Sequence, residues 1–512
     1  MKRPLIFHPL LIGLFPIFFL FSHNVGRIHL RGLVPSLCLS LLWIGVVWLI
    51  SLLLIRHKAK AALIASLFLI LFFSFGHLCE LAKNLNVGGI QLGRFRFLIP
   101  LEGIFFTAAA IGIVKTKIDL AHATRRLNKF GLLLILIPLL PMGKKLLVNE
   151  DWLKQTGLTV PVAKQRPASL PDIYYIIPDG YGRQDILEKV YGYDNTPFLE
   201  ELRRRGFYIA DKSRANYPIT RYSLTSSLNF AHLDFLQRVK SKKMVTLGMV
   251  EGSRIIRFLG QEGYTFIAFR TGSEMTEIQS ADIYLSSRKT LSEFESLYLN
   301  TTPLPRIIDT IYPHFFKDLL RERFFFTLHH LPDVAKSERP VFAFVHLMIT
   351  HPPYAFQENG TMAGNGDRDA AEYIRHIQIL NKEILKTIDR ILAESPQPPI
   401  IILQADHGPA FWELLCRPGA NLHQSLRISA DKHDDLLTTR MSILNAYYLP
   451  GIPEGVLYQE ITPVNTFRVI LDHYFRTGLG LLEDRSFIFN DSLLSPFLEV
   501  TKILNDVEAK QG

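Results

Sequence analysis

Cysteine is nearly missing from this 512-residue chain: Cys38 and Cys79 lie inside apolar runs and Cys416 stands alone in the polar part. No Cys-x-x-Cys pair occurs, so a disulfide-dense scaffold is excluded, a result that is neutral about compartment. Acidic residues are scarce in the first 147 positions, where Glu80, Glu102 and Asp119 face 17 Lys and Arg. The chain's net charge is +10, so an excess of 14 basic residues in this part leaves the remainder acidic by 4. The basic residues sit in loops between apolar runs, where positive charge sets membrane orientation, and they do not argue for a nucleic-acid partner. Internal repeats and low-complexity segments are also lacking.

What the N-terminal part does contain is five apolar segments, at about 5–22, 33–55, 61–79, 97–114 and 130–142. A spanning helix needs about 20 apolar residues, and the first four approach that length. The fifth is short and carries Pro138 and Pro141, so it needs flanking residues such as Leu127 to span. Lys2 and Arg3 give the first run the look of a signal peptide, yet no small-residue cleavage site follows it. With the N-terminus inside, 10 basic residues fall on the cytoplasmic face and 7 on the other, which favours that orientation and puts everything after the fifth span outside. The expected location is therefore a bacterial-type inner membrane, multi-pass, with the polar domain beyond it. His8, His77 and Glu102 lie within or at the ends of these runs; the histidines are expected near the interface, and Glu102 toward the bundle interior.

Residues 149–170 are polar, contain Pro161 and Pro167, and read as a linker. Beyond them the pattern alternates. A buried-strand run at 172–177 precedes a helix at about 197–205, opened by Pro197 and closed by Gly206. A helix at 254–261 leads to a strand at 264–269, and an apolar run at 341–345 ends at His346. A long amphipathic helix at 369–392 feeds the run before Asp406, and 444–449 is a later strand. Strands alternating with helices predict a doubly wound α/β domain with a parallel sheet covered on both faces. The expected organisation is a membrane domain at 1–148, a linker at 149–170, a catalytic domain at 171–490 and a tail at 491–512.

Three stretches carry candidate chemistry. Asp179-Gly180 follows the first buried run, Asp406-His407-Gly408 follows a later one, and Thr220 opens a Ser/Thr-rich helix behind the Pro218 turn. Ligand crevices of open parallel sheets lie beyond the carboxyl ends of the strands, where these residues would meet. A hydroxyl at a helix N-terminus lies in the positive field of free N–H groups, which favours an anionic oxygen and any phosphate it attacks. Taken singly, Thr220 reads equally as a helix cap and Asp179-Gly180 as a turn.

The ordered set resembles the alkaline phosphatase and sulfatase superfamily, and within it the membrane-anchored branch with lipoteichoic acid synthases and lipid A phosphoethanolamine transferases. The resemblance covers about 172–450. It implies Thr220 as nucleophile and a metal held by Asp179, Thr220, Asp406 and His407, for which mixed oxygen and nitrogen ligation suits Zn²⁺ or Mn²⁺. It further implies that a histidine pair, His351 in a His-x-Pro pattern and His346, contacts the transferred phosphoryl group or serves a second metal. A further histidine, His423 or His433, is expected beyond Asp-His-Gly, and Arg221 is a candidate donor to an anionic phosphate.

Two departures qualify the resemblance. Pro409-Ala410 stands where the phosphoethanolamine transferases usually have Glu-Ser. Threonine at 220 cannot become formylglycine, and this demotes sulfate ester hydrolysis. The function expected is a metal-dependent transfer of a phospholipid-type head group, phosphoethanolamine or phosphoglycerol, to an envelope glycan or lipid through a phosphothreonine. The rivals are a phosphodiesterase or phosphatase using water, and a catalytically silent envelope binding protein.

Overall fold

The computed structural model describes residues 4–24, 30–83, 85–87, 90–91, 93–146, 152–167, 169–239, 242–356, 366–409, 434–488 and 497–511. The chain forms two compact units, one of residues 1–150 with 291–316, the other of 151–290 with 317–512.

The first unit is helical: α1 (His8–Asn24), α2 (Leu30–Ile55), α3 (Lys58–Ala82), α4 (Phe95–Lys115) and α5 (Ala121–Leu146). A hairpin of β1 (Asn86–Val87) and β2 (Ile90–Gln91) separates α3 from α4. Each of the five apolar runs thus lies in a helix. Gly32–Ile55, Lys58–Ala82 and Phe95–Lys115 are long and apolar enough to cross a membrane, while α1 is shorter. The last helix starts nine residues before its apolar run, and its polar first half is used. Asn128 on α5 accepts from the His8 backbone N–H at 2.9 Å and donates to the Leu5 carbonyl at 2.7 Å. It thereby satisfies groups that every helix N-terminus leaves open. His8 is wholly buried, its Nδ1 at 2.7 Å from Ser66 Oγ. His77 is exposed, and Glu102 is half-buried with Oε1 inside the unit.

Residues 291–316 belong to this unit although they lie far along the sequence. Their first helix, Glu293–Asn300, begins with a capping box in which Ser292 and Glu295 each bind the other's backbone N–H. Phe294 and Tyr298 are buried in one core with Phe21 of α1 and Phe73 of α3, and the Tyr298 hydroxyl pairs with Ser40 Oγ on α2. The Gly76 N–H donates to the Thr301 carbonyl at 3.0 Å, and a Cβ at Gly76 would lie 2.0 Å from the Asn300 carbonyl oxygen. Only glycine allows that approach.

The second unit is built on seven strands: β3 (Ile173–Pro178), β4 (Tyr208–Ile209), β5 (Thr265–Phe269), β6 (Ile283–Leu285), β7 (Val341–Leu347), β8 (Ile400–Gln404) and β9 (Asn445–Tyr448). Their order is β4-β9-β8-β3-β7-β5-β6, with β9 antiparallel to both its neighbours and the other pairs parallel. Side chains of β3 alternate between two cores. Tyr174 and Ile176 face one with Ile377, Leu380, Ile384 and Ile388 of helix Gly366–Glu394. Ile173, Tyr175 and Ile177 face the other with Leu224, Leu228, Phe467 and Ile470. Burial on both faces is why the strands read as continuous apolar runs.

Three readings need adjustment. β7 continues through Leu347, so His346 lies within the strand, opposite Ile177, rather than beyond its end. The polar stretch read as a linker holds helix Trp152–Thr156, whose Trp152 is buried with Tyr217 and Met249. The stretch read as a tail ends in helix Thr501–Gln511, where Glu508 pairs with Arg183 at 2.8 Å and with Arg214 at 2.5 Å.

Gly76→Val should push residues 300–301 off α3. Overpacking of this kind costs about 1–3 kcal/mol, so limited proteolysis of the full chain should show faster cleavage within 291–316 and an unchanged rate in the sheet unit. Wild-type protection would show that the contact at Gly76 does not hold the segment.

Candidate active site

Because β8, β3 and β7 are parallel neighbours, their carboxyl ends open on one edge of the sheet, and each delivers a functional side chain there. Asp179 follows β3, Asp406 and His407 follow β8 after one residue, and His346 ends its ring at the same edge from β7. Gly180 takes a φ of +64° directly after Asp179, a left-handed turn that glycine adopts without strain. Its N–H donates to Asp406 Oδ1 at 3.1 Å, and the His407 N–H donates to the same oxygen at 3.0 Å. Asp406 Oδ2 is thereby left pointing into the site.

Thr220 is the first residue of helix Thr220–Asn229, entered from an extended Ile219. Its Oγ1 lies 3.3 Å from Asp179 Oδ2 and 3.3 Å from His407 Nε2. His346 Nε2 is 3.2 Å from the same Asp179 oxygen, and its Nδ1 is 2.8 Å from Thr276 Oγ1. His407 Nδ1 is 2.9 Å from the Gly408 carbonyl, which can only accept. The proton is therefore assigned to Nδ1, and the Nε2 lone pair faces Thr220 and the two carboxylates.

Asp179, Asp406 and His407 each offer a buried ligand atom, all within 4.8 Å of one another. Asp179 Oδ1, Asp406 Oδ2 and His346 Nε2 are buried with no hydrogen-bond partner among the described residues. Two adjacent buried carboxylates, each with a bare oxygen, are costly unless a cation meets them. The group fits a divalent metal.

Burial alone would raise the Asp179 carboxyl, but the His346 ring hydrogen-bonded against it, together with the nearby imidazoles, outweighs that. They hold it below the usual carboxylate range. Burial, with the Arg440 guanidinium, keeps the His407 imidazole below its ordinary value, in the neutral form a metal binds.

The remaining expected residues are more scattered. His351 is exposed after the short turn Met348–Thr350, its Nδ1 at 2.5 Å from the Pro352 carbonyl, though its charge reaches Asp179. Arg221 is half-buried beside the Tyr222 ring, with a buried Nε that has no hydrogen-bond partner among the described residues. Ser223 donates to the Asp406 carbonyl at 2.6 Å and so fastens the Asp-His-Gly loop. His423 and His433 lie outside the described residues.

Three supporting residues carried no motif in the sequence. Buried Arg440 donates to the Pro218 carbonyl at 2.7 Å and the Gly408 carbonyl at 3.1 Å, clamping the Thr220 turn to the Asp-His-Gly loop. The Tyr373 hydroxyl accepts from the Gly182 N–H and donates to the Gly180 carbonyl, each at 3.0 Å. Thr276 holds Nδ1 of His346. Each acts on a residue distant in sequence, which left no local signal.

A model of the sulfatase family matches residues 171–469, more than half of the chain. The chain belongs to the sulfatase family. It is an enzyme of that superfamily. No curated protein matches it. Among solved structures, this sulfatase-family chain is similar to the C-terminal periplasmic domain of EptC from Escherichia coli in complex with Zn. The two are 13% identical, covering 67% of this chain and 96% of that one, with a TM-score of 0.42. It is similar also to the lipooligosaccharide phosphoethanolamine transferase EptA from Neisseria meningitidis, an integral membrane protein, at 15% identity over 93% and 95% of the two chains, with a TM-score of 0.39. A third is the lipoteichoic acid synthase LtaP from Listeria monocytogenes, at 11% identity over 68% and 86%, with a TM-score of 0.39.

Asp406→Asn keeps an oxygen for the Gly180 and His407 N–H groups but removes the charge. Metal analysis of the purified full-length protein should show bound divalent metal falling at least tenfold, with the melting temperature in chelator unchanged. Full metal occupancy in the variant would place the cation on other ligands.

Proposed function

We propose that this sulfatase-family enzyme is a membrane-anchored phosphotransferase, with Thr220 as nucleophile and a phosphothreonine as intermediate. The observation that carries the reading is the position of Thr220 Oγ1, at a helix N-terminus and 3.3 Å from both Asp179 Oδ2 and His407 Nε2. The donor is a phospholipid with a phosphoethanolamine or phosphoglycerol head group, and the acceptor is a hydroxyl of an envelope glycan or lipid. The apolar helices of the first unit and the excess of basic residues on one face support an inner-membrane location with the catalytic domain outside.

Asp179, Asp406, His407 and Thr220 itself would hold the metal, and the mixed donor set favours Zn²⁺ or Mn²⁺. When bound, the ion would lower the hydroxyl pKa and polarise a phosphoryl oxygen. The protein's own groups supply the rest. The Thr220 hydroxyl is oriented by its hydrogen bond to Asp179 Oδ2 and gives up its proton to water as Oγ1 bonds to phosphorus and the bond from phosphorus to the diacylglycerol oxygen breaks. That leaving oxygen takes a proton from water as it departs. The N-terminal field of helix Thr220–Asn229 favours the extra negative charge on the phosphoryl oxygens. In the second half the acceptor oxygen attacks phosphorus, loses its proton, and returns Thr220 to the hydroxyl form. His351, with His346 and Arg221, is assigned to the transferred group; His423 or His433 would complete that set. Dividing the displacement in two predicts ping-pong kinetics.

Thr220→Ala removes the oxygen that carries the intermediate, and turnover should fall by about three or more orders of magnitude, as for other deleted nucleophiles. Thr220→Ser should keep partial turnover. Mass spectrometry of quenched protein should find a phosphorylated peptide containing residue 220 in the Thr and Ser forms alone. Loss of a mere cap would cost about 1 kcal/mol of stability and little activity per folded molecule. Near-normal turnover by folded, metal-loaded Thr220→Ala would end this reading.

A further inference from the structure

Helix Leu304–Ile311 is the second helix of the segment that belongs with the membrane helices rather than with the sheet. Leu304, Ile307, Ile308 and Ile311 recur at the spacing of a single helical face, and Arg306, Asp309 and Thr310 occupy the other. No residue of this helix is buried; Ile311 is 79% exposed and the following Tyr312 49%. At eight residues, about 12 Å, it is far too short to span a bilayer of about 30 Å.

Its depth is fixed by what precedes it. Thr301 accepts from Gly76 of α3, six residues before that helix ends at Ala82, or about 9 Å along its axis. Arg306 lies within electrostatic reach of Cys79 in the last turn of α3. Tyr298 and Phe294 fasten the same corner to α1, α2 and α3. An amphipathic helix anchored at the last turns of an apolar helix stands where head groups give way to acyl chains. There an apolar face sinks about 5–10 Å, tyrosine bridges the two zones, and arginine extends its charge outward.

We propose that helix Leu304–Ile311, with Tyr312, lies in the plane of the bilayer interface and binds the lipid surface through its isoleucine face. Lipid is the occupant because the helix is tied to the end of the membrane helices, where lipid already surrounds the chain. The sequence around it makes this a second attachment of the catalytic chain to the membrane, inserted between β6 and β7. On the phosphotransferase reading, the attachment holds the catalytic chain at the surface that carries its donor.

The test uses the full-length protein with Cys38, Cys79 and Cys416 replaced by serine, in nanodiscs of phosphatidylethanolamine and phosphatidylglycerol. A nitroxide is attached at Ile308→Cys, Ile311→Cys or Asp309→Cys, and its collisions with oxygen and with a water-soluble nickel chelate are compared. Labels at 308 and 311 should favour oxygen by at least threefold over the label at 309. Equal nickel access at all three would place the helix in water, and protection of 308 and 311 from both reagents would mean a protein partner; either overturns the proposal. In a second arm, Ile308→Asp with Ile311→Asp should lower turnover of a bilayer-embedded phospholipid donor at least fivefold and leave a short-chain, water-soluble donor unaffected. Wild-type protein inactive on both donors would count against the phosphotransferase reading, while the nitroxide profile would still decide the anchor.

Discussion

Two carboxylates, Asp179 and Asp406, are buried side by side at the ends of neighbouring parallel strands, and the site is organised around that repulsion. Each is almost wholly inaccessible and each keeps one oxygen free of hydrogen bonds among the described residues. Like charges so placed persist only where donors and positive charge surround them. The donors that are present act on the backbone side: Gly180 and His407 N–H groups saturate Oδ1 of Asp406 and aim Oδ2 outward. On the other side His346 stands against Asp179, its Nε2 3.2 Å from Oδ2. A cation would complete the charge balance, and the loops hold still the side chains that would bind it.

That need explains residues with no chemistry of their own. A Cβ at Gly408 would lie 2.0 Å from the Thr439 carbonyl oxygen, so the glycine of Asp-His-Gly is required by the close passage of the chain ahead of β9. Arg440 on that passing chain binds Gly408 and Pro218 together, and Ser223 ties the Thr220 helix to Asp406. Asn216 fixes the start of the turn, accepting from the Val464 N–H at 2.8 Å and donating to Thr462 Oγ1 at 3.0 Å. The candidate nucleophile Thr220 and the candidate ligands Asp406 and His407, far apart in sequence, are thus joined through direct hydrogen bonds, which limits the error in their spacing.

The strands were legible because both faces of the sheet are covered and the apolar runs are unbroken, as in Ile400–Gln404 and Ile173–Pro178. The residues that follow those runs were legible for the same reason, since position beyond a parallel strand gives them one edge. His346 was placed one step too far because a histidine ends an apolar run in sequence, yet with Thr276 behind its ring it remains inside the strand. The polar stretch after α5 looked like a linker because its prolines dominate, whereas the burial of Trp152 depends on Tyr217 and Met249, far along the chain. The 291–316 segment was illegible in kind. Its capping box can be read locally, but its place beside α3 depends on the missing side chain of Gly76, more than 200 residues earlier.

Threonine at the nucleophile position has a physical consequence of its own. A cysteine or serine has two free hydrogens on Cβ and reorients readily, whereas the branched threonine side chain is stiff about χ1. At the first turn of helix Thr220–Asn229 this stiffness favours an Oγ1 that stays within 3.3 Å of Asp179 and His407 before any substrate arrives. On the phosphotransferase reading the hydroxyl needs little reorganisation to attack. The same branching removes the chemistry of formylglycine, because oxidation of a threonine side chain cannot give an aldehyde at Cβ. On that reading, the residue that rules out formylglycine at 220 is therefore also the one that positions the attacking oxygen.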